Sequence, residues 1–572
     1  MLEIGVAKAT IAAFRKGAGM MGYGMHFNFA DGVDTPLHAR AFVFRERERG
    51  RALAFVCCEI CFVSVSIKRG VVARLQRDHP ELGLDDASIM LCAQHTHSGP
   101  GGYSHYAFYN FTIPGYVPEV CDAIVEAIVE AITGAAARAR PAALRYAAGE
   151  FPPELEIAFN RSLAAYNSNE DVAPLPASDW HLAVDRTMEL VRVDDERGQA
   201  LGAITWFGVH ATSLSNDNHL INWDNKGYAA DAIESRVRGV LGDDEFTCAF
   251  AQATAGDVTP NYVYDRKKRW TRGKFEDDRD SARWHGERQA ELAGALLERA
   301  AEAPAQASEL DCALTYVDFR DVRCDPDLAG GEEDARTSPA CVGVEMLAGT
   351  REGPGMPTPV ALLAKAASWS VRAFERARAV LQSPERRAAV RQKYRSQGPK
   401  SIVIETGERR LLGTRNISGV PIPGFVDPTL ATFKRHHRTG GLDDAPWTPQ
   451  ILPLQIFVIG ELAIVAIPGE LTTVAGRRVR ATVLEELRPR GVTRVLLTTY
   501  ANAYSGYICT REEYQHQRYE GSHTVFGQWT LAAYRTELRA LARRLAAPAE
   551  TREPAAEPRP WRFSGDELER RV

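Results

Sequence analysis

Two histidines, His95 and His97, stand one residue apart at the end of an apolar run. That run, Ala87–Ala93, is typical of a buried strand. Alternate side chains of a strand point to the same face, so the two imidazoles are predicted to project side by side. Neutral imidazoles bind metal ions and transfer protons near neutral pH. Two hydrogen-bonded histidines beside the glycine-rich turn 99–102 would show the same pattern, so this motif alone leaves metal binding, catalysis and packing open.

A third histidine, His210, follows another apolar run, Leu201–Val209. The polar segment Asn218–Tyr228 comes next, and a helical pattern begins at Ala229. Polar residues on loops that lead from strands into helices are the usual position of active sites in layered α/β enzymes. The two histidine blocks together therefore favour a metal or catalytic site over simple packing.

The elements that must position these residues are a mixture of strands and helices without a regular βαβ alternation. Strands are predicted at 41–47, 52–63, 88–93, 143–150, 188–193, 202–210, 247–252, 313–319, 402–405, 452–459, 462–467 and 495–500. Amphipathic helices are predicted at 116–138, 282–303, 361–381 and 529–545, with shorter ones at about 229–241 and 471–486. This mixture predicts a layered α/β (mixed α+β) fold.

Composition places the chain among ordinary globular proteins. The hydrophobic fraction is 45% and the charged fraction 25%, and the net charge of −5 gives no sign of nucleic-acid binding. No run approaches the roughly 20 apolar residues of a membrane-spanning helix. The ten cysteines are scattered, and Cys57, Cys58 and Cys61 lie in an apolar strand pattern, which favours buried thiols over a metal motif. No signal peptide is seen at the N-terminus, so we expect a cytoplasmic protein, or a secreted one if an upstream signal is missing.

The segment His95–Gly101 resembles the signature of neutral ceramidases, zinc-dependent amidases that cleave the N-acyl bond of ceramide. Further blocks match that family in the same order: Asn160–Ser162 with Tyr166, His210–Tyr228, Ala251–Gln252 with Gly256–Asn261, Pro468–Arg478, and Tyr504–Tyr507 with Glu513–Gln515 and Arg518–Gly521. Leu163 stands where the family usually has proline, and Thr259 where it usually has serine. The resemblance runs from Gly5 to about Tyr534. It implies one large catalytic domain.

The resemblance also implies one Zn²⁺ per chain, held by His95, His210, Glu470 and Tyr507. Two imidazoles and one carboxylate are a familiar catalytic zinc set that leaves room for water. Two of these residues have a simpler interpretation. Glu470 precedes a helical pattern and would favour the positive end of the helix dipole, and Tyr507 could be a packed aromatic side chain.

The mechanism expected from this set is attack on the amide carbonyl by a water that the metal has activated. His97, beside the metal, would carry the proton to the leaving amine. The resemblance places Arg161 and Tyr519 around the polar head of the substrate, although a surface ion pair and a packed phenol are the alternatives. For Thr259 we favour a structural role over a nucleophilic one, because no adjacent base is visible. Asp257 is expected to orient a ligand histidine.

The catalytic domain is expected to cover residues 1–545 and to be followed by a short, poorly ordered tail over 546–572, with no C-terminal immunoglobulin-like domain. The expected partner is a lipid-like N-acyl substrate. No nucleic acid and no transmembrane segment are expected, and contact with a membrane surface and the oligomeric state stay open. Two other functions stay open as well: a zinc amidohydrolase for another N-acyl amine or N-acyl amino acid, and a catalytically silent lipid-binding relative.

Overall fold

An eight-stranded sheet carries the first half of the fold. A computed structural model describes residues 2–48, 50–113, 115–241, 246–353, 355–419, 428–548, 551–552 and 558–572. From one edge to the other, the strands of this sheet are Thr247–Gln252, Ala200–Phe207, Thr187–Asp195, Arg140–Glu150, Leu2–Ile11, Leu37–Glu46, Arg51–Cys58 and Ile89–Ala93. The inner pairs are antiparallel, and the outermost pair at each edge is parallel.

The two edges of this sheet approach each other at the ends of the edge strands. Thr96 forms an isolated parallel bridge with Ala211. The Gln252 amide also donates a hydrogen bond to the carbonyl oxygen of Gln94 at 2.9 Å. Residues that follow the two edges of the sheet, and that are far apart in the chain, therefore meet in space.

A second sheet has four strands in the order Leu310–Asp318, Ile451–Ile459, Leu462–Ala466 and Arg494–Thr498. Its first three strands are antiparallel, and the fourth pairs in parallel. The two sheets share an apolar cluster that includes Trp206, Phe457 and Leu496. The indole N–H of Trp206 donates to the Thr498 hydroxyl at 2.8 Å, which ties the sheets together inside this cluster.

Helices cover the outer faces of both sheets. The amphipathic helices Pro118–Ala137, Asp278–Ala301 and Thr530–Ala546, for example, each turn a set of buried side chains towards the sheets. In chain order the helices are α1 Val65–Asp78, α2 Pro118–Ala137, α3 Leu163–Tyr166, α4 Asp224–Leu241, α5 Asp278–Ala301, α6 Val344–Ala348, α7 Thr358–Val380, α8 Pro384–Gln397, α9 Pro428–Arg438, α10 Thr473–Leu487, α11 Arg511–Gln515, α12 Tyr519–Ser522, α13 Thr530–Ala546 and α14 Gly565–Glu569.

Short strands tie the loops together near the strand ends. These are Met20–Met21, Gly32–Val33, Gly99–Pro100, Phe159–Asn160, Leu220–Ile221, Val258–Thr259, Val263–Asp265, Trp270–Arg272, Val342–Gly343, Ile402–Glu405, Arg410–Leu411, Glu470–Leu471 and Tyr507–Ile508. Short 3₁₀ segments lie at Pro80–Leu82, Ala107–Asn110, Ala177–Leu182, Pro326–Leu328 and Arg488–Arg490.

The structure confirms the expected layered mixture of strands and helices. The strands predicted at 247–252 and 402–405 have the predicted bounds, whereas the strand predicted over 52–63 ends at Cys58. Just beyond this end, the Glu59 carboxylate accepts hydrogen bonds from the Arg40 guanidinium and from the backbone N–H of His38. Among the described residues, no helix is both long and apolar enough to cross a bilayer.

The tail expected to be poorly ordered over 546–572 differs from that expectation in its last part. Arg571 is buried, and its carbonyl oxygen accepts a hydrogen bond from the backbone N–H of Tyr116 at 2.6 Å. The Arg69 guanidinium donates to the carbonyl oxygen of Pro560 at 2.6 Å. These backbone contacts hold the segment 558–572 against the domain. Residues 549–550 and 553–557 lie outside the described residues, and the part that is described contains no separate immunoglobulin-like sandwich.

Candidate metal centre

The His95–His97 pair does not continue the strand before it, so the expected geometry at this point was wrong. The strand ends at Ala93, and His95 has a left-handed backbone with φ of 74°. This turn brings the two rings edge to face, with centroids 4.6 Å apart and the two Nε2 atoms 3.0 Å apart. The histidines therefore meet through their ring nitrogens instead of lining one strand face.

The structure brings together the four residues that the family resemblance implied as metal ligands. One ligand atom from each of His95, His210 and Glu470 lies within 4.8 Å of the other two, and all three residues are buried. His210 Nε2 is 3.2 Å from Glu470 Oε2, and His95 Nε2 is 3.7 Å from Glu470 Oε1. The phenol oxygen of Tyr507 is 3.4 Å from His210 Nε2. Four groups with lone pairs thus converge on one point.

Both candidate ligand histidines are oriented by backbone carbonyls. His95 Nδ1 lies 2.6 Å from the carbonyl oxygen of Cys61, and His210 Nδ1 lies 2.9 Å from that of Val258. A carbonyl oxygen can only accept, so each Nδ1 carries the hydrogen and each Nε2 keeps its lone pair for the centre. Burial lowers the pKa of His95 to about 4, so this ring is neutral at pH 7. This arrangement fits a metal ion, which needs neutral imidazoles with free lone pairs.

Glu470 is held as an anion by its surroundings. It pairs with Tyr507 in the parallel bridge that precedes α10. The phenol of Tyr500 donates to Oε2 at 2.9 Å, and the phenol of Tyr504 donates to Oε1. Burial alone would raise the pKa of this carboxyl, but the two histidines and the Tyr504 hydrogen bond outweigh burial and hold the pKa well below its usual range. Glu470 also lies three residues before the start of α10, so its position is compatible with both interpretations drawn from the sequence.

Arg161 is a largely buried part of the centre and does not form a surface ion pair. Its side chain is 8% exposed and donates to Glu520 Oε1 at 2.8 Å. It also donates to the phenol oxygen of Tyr507 at 2.9 Å. Its guanidinium carbon lies 5.4 Å from the ring centroid of half-buried Tyr519. Arg161 and Tyr519, the two residues expected around a substrate head group, therefore lie together beside Tyr507.

His97 stands next to the other rings but keeps one nitrogen free. Its Nδ1 has no hydrogen-bond partner in the described part of the chain. Burial and the neighbouring His95 and His210 lower its pKa well below the usual value, so the ring is neutral. Gly22, with φ of 129°, packs against this ring, and a Cβ atom there would lie 2.4 Å from His97 Cγ. Only glycine leaves room for the imidazole in this position.

Comparison with known proteins shows the family of the chain. The family model described as "Neutral/alkaline non-lysosomal ceramidase, N-terminal" matches residues 2–415 and 437–536. The chain belongs to this ceramidase family.

Relatives and solved structures of the family resemble the chain over nearly its whole length. It is 34% identical to a neutral ceramidase of Pseudomonas aeruginosa over 534 residues, which are 93% of this chain and 70% of the relative. It is 33% identical to neutral ceramidase A of Dictyostelium discoideum, over 91% of this chain and 70% of that one. A structure titled "Ceramidase complexed with C2" superimposes with a TM-score of 0.77 at 32% identity, covering 97% of this chain and 77% of that chain.

The expectation that Asp257 orients a ligand histidine was wrong. In this ceramidase-family chain its Oδ1 accepts from the backbone N–H and the hydroxyl of Thr473, at 2.8 and 2.9 Å. Its Oδ2 accepts from the Asn160 amide at 2.7 Å. Asp257 thus fixes the start of α10 to the Phe159–Asn160 strand, and the task of orienting the histidines falls to the carbonyls of Cys61 and Val258.

Thr259 lies one residue beyond the carbonyl that orients His210. Its hydroxyl oxygen accepts a hydrogen bond from the backbone N–H of Asn261 at 2.9 Å. Among the described residues this hydroxyl makes no hydrogen bond to an imidazole or a carboxylate, which a serine-type nucleophile would need. The contact fits the structural role that the sequence favoured.

Several site residues were not identified from sequence. Tyr500 and Tyr504 hold Glu470, and Glu520 and Glu352 flank Arg161. His523 is buried against Tyr507, and neither of its ring nitrogens has a partner among the described residues. Tyr504 and Glu520 lie in blocks that resemble the family, but no role was assigned to them. Tyr500 lies outside those blocks, and a tyrosine near a strand end is typical of packing, so no sequence signal set it apart.

Proposed function

We propose that this protein is a zinc-dependent amidohydrolase that cleaves the N-acyl bond of ceramide to give a fatty acid and sphingosine. The observation that carries the proposal is the convergence of His95 Nε2, His210 Nε2 and the Glu470 carboxylate within 4.8 Å. Membership of the neutral ceramidase family supports the substrate class.

One zinc ion per chain would be held by His95, His210 and Glu470, with Tyr507 as a fourth group. When bound, zinc lowers the pKa of water towards about 7 and acts as a Lewis acid. Nitrogen donors from imidazole and oxygen donors from carboxylate are the set that this ion takes in catalytic sites. The neutral state of His95 and the anionic state of Glu470 suit the donors to a divalent cation.

The side chains around the donors supply binding and proton transfer. Arg161 has several N–H donors, and together with the Tyr519 hydroxyl it can hold the polar head of a substrate. His97 is neutral and has an unpartnered Nδ1 among the described residues, so it can accept a proton and deliver it to the nitrogen of the departing amine. Without that proton, sphingosine would have to leave as a high-energy amide anion.

A second candidate is a zinc amidohydrolase that acts on another N-acylated amine. Oε1 of buried Glu352 is 3.5 Å from Nη1 of Arg161. A carboxylate at this place changes the charge that a substrate head meets. Thr259 and Leu163 depart from the usual family residues in the sequence blocks that contain Asp257 and Arg161.

Hydrolysis of fluorescent N-acylsphingosine tests the proposal directly. We expect turnover by the protein as purified, loss after treatment with a chelator, and recovery when Zn²⁺ is added back, with elemental analysis showing one zinc per chain. Absence of turnover despite one bound zinc per chain would favour the second candidate. Full turnover by protein shown to be metal-free would rule out the zinc mechanism.

A further inference from the structure

Helix α7, Thr358–Val380, lies on the surface and buries almost nothing of its own. Of its 23 residues only Ala361, Ser368 and Ala379 are buried. These three positions repeat at helical spacing and define the single face that packs on the domain. The opposite face is turned to solvent, where a globular protein normally places charged side chains.

The face of α7 opposite these three buried residues carries no charged residue. We call it the apolar stripe; it consists of Leu362, Leu363, Ala366, Trp369, Ser370, Ala373, Phe374, Ala377, Val380 and the following residue Leu381. All ten residues are exposed, and Leu363, Phe374 and Leu381 are 72%, 65% and 89% exposed. Their spacing of three, four and seven residues places them on one face over the whole helix. A contiguous apolar surface of this length marks a contact site for a partner.

Positive charge surrounds the apolar stripe. Between residues 358 and 397 the sequence has nine lysines and arginines but only two glutamates, in a chain whose net charge is −5. Arg376 and Arg378 of α7 and Arg386 and Arg387 of α8 are exposed. Arg378 and Arg386 form no ion pair within the part of the chain that the structure describes. An apolar face with basic flanks is the pattern of a helix that lies in the interface of an anionic bilayer.

A cavity beside the stripe offers a place for an anionic head group. It has a volume of about 580 Å³ and opens next to Phe374. Arg378, Arg386 and Arg415 line it together with the apolar side chains of Val371 and Leu412. Glu375 also lines it, but this carboxylate is paired with Arg410 and Lys393, each at 3.0 Å. Arginine binds phosphate through paired N–H donors, and the apolar wall suits the first carbons of an acyl chain.

Helix α7 is connected to the candidate metal centre through α6 and through the segment before it. Lys365 of α7 forms an ion pair with Glu345 of α6 at 2.9 Å. The chain segment before α7 contributes Glu352, which lies against Arg161. In addition, α6 packs on α12, the helix that begins with Tyr519. These contacts link the helix that carries the stripe to the residues assigned to the substrate head.

We propose that the apolar stripe inserts into the surface of a bilayer that contains anionic lipids, and so docks the protein where a lipid substrate resides. The choice of a bilayer as occupant rests partly on the proposed function, since that substrate is a membrane lipid. A second copy of the chain is the poorer fit. A symmetric pair would bring the arginines that flank one stripe against those that flank the other, and like charges in contact oppose association.

Vesicle sedimentation tests the docking without any turnover. The full chain is mixed with phosphatidylcholine vesicles or with vesicles that also contain about 30% phosphatidylserine. We expect the wild type to sediment mainly with the anionic vesicles. The double variant Leu363→Glu with Phe374→Glu should bind at least tenfold more weakly, because both changes put charge into the interface. Tyr264→Glu, at an exposed tyrosine outside the stripe, is the matched control and should bind like the wild type.

The arginines are tested separately, and activity assays distinguish the docking from the proposed function. Arg378→Gln with Arg386→Gln should lose the preference for anionic vesicles and keep the weaker binding to neutral ones.

Activity assays use the stripe double variant, Leu363→Glu with Phe374→Glu. It should hydrolyse detergent-dispersed N-acylsphingosine like the wild type, but it should hydrolyse substrate in vesicles at least tenfold more slowly. Wild-type protein that cleaves dispersed substrate but binds no vesicle overturns the docking alone. Binding without any cleavage supports the docking and contradicts the proposed function. A wild-type dimer that the stripe variant converts to a monomer in light scattering also overturns the docking, because a second copy then covers the stripe.

Discussion

Globular proteins normally keep charged groups in water and bury large apolar side chains. The candidate metal centre and the apolar stripe of α7 depart from this rule in opposite directions. In the centre, charged and polar groups of His95, Glu470 and Arg161 are taken out of water. On α7, side chains as large as Trp369 and Phe374 are left in it. Burial of charge costs folding free energy, and exposed apolar side chains contribute none. Each departure from the rule therefore indicates a function.

The two regions differ in what they need to be complete. In the centre the protein supplies partners for its own buried groups: phenols for Glu470, carbonyls for the Nδ1 atoms and Glu520 for Arg161. Besides His97 Nδ1 and the ring nitrogens of His523, the converging lone pairs at the middle are left over, and these suit a cation. On α7 the described part of the protein leaves the stripe largely uncovered, so this face needs a partner. A small ion would complete the first region, whereas an extended surface would be needed to complete the second.

The largest expected effect comes from the ligands of the centre. His95→Ala and His210→Ala should each lower hydrolysis of N-acylsphingosine by at least about 1,000-fold, roughly 4 kcal/mol in the activation barrier, because the donor set is broken. Elemental analysis should show that bound zinc falls in parallel. His26→Ala, at an exposed histidine outside the centre, should leave both quantities unchanged. Activity within about tenfold of wild type in either ligand variant would contradict the assignment.

A smaller effect is expected from a buried charge that has no role in metal binding. Lys400 donates to the carbonyl oxygens of Cys341 and Thr524, at 3.0 and 2.7 Å, and burial lowers its pKa to about 7. The unfolded chain holds this proton up to about pH 10.4, so between about pH 7 and 10 the unfolded state binds more protons. The free energy of unfolding therefore falls as the pH drops through this window, by up to about 1.4 kcal/mol per pH unit.

Lys400→Met removes this dependence. The stability of the variant relative to wild type should rise as the pH falls from about 10 to about 7, and then level off. Urea unfolding of both proteins across this window measures the difference, and groups that titrate alike in both proteins cancel. If the difference in the free energy of unfolding stays constant with pH, the pKa of Lys400 is not lowered in the folded protein.

The smallest expected effect sharpens the contrast on α7. Leu363→Ser should change the free energy of unfolding by less than about 0.5 kcal/mol, because the side chain is already in water. The matched core variant Leu538→Ala, at a fully buried leucine of α13, should cost about 2–5 kcal/mol. Thermal or urea unfolding measures both changes. A large loss of stability in Leu363→Ser would mean that the stripe packs on the protein itself.

Local patterns were enough to predict many elements but not how they meet. The apolar run before His95 predicted its strand, and the helix at 361–381 was predicted close to the observed Thr358–Val380. The approach of the two sheet edges depends on long-range pairing such as Thr96 with Ala211, which no local pattern encodes. For the same reason, the left-handed turn at His95 and the two phenols on Glu470 could not be predicted.

The helix predicted at 361–381 shows a second limit of prediction from the sequence. An amphipathic pattern tells which residues share a face, but it does not tell which face points to the core. The default expectation buries the larger apolar side chains. Here the small residues Ala361, Ser368 and Ala379 face the domain instead.

The candidate donors come from distant parts of the chain, and this sets the timing of assembly. His210 and Tyr507 are 297 residues apart in sequence and become neighbours only when both sheets are in place. During synthesis on the ribosome the first histidines therefore emerge long before the glutamate and the tyrosine that complete the set. An ion that needs all of these donors would be acquired at the end of folding. A shortened or stalled chain would therefore contain the His95–His97 motif but could not bind the ion.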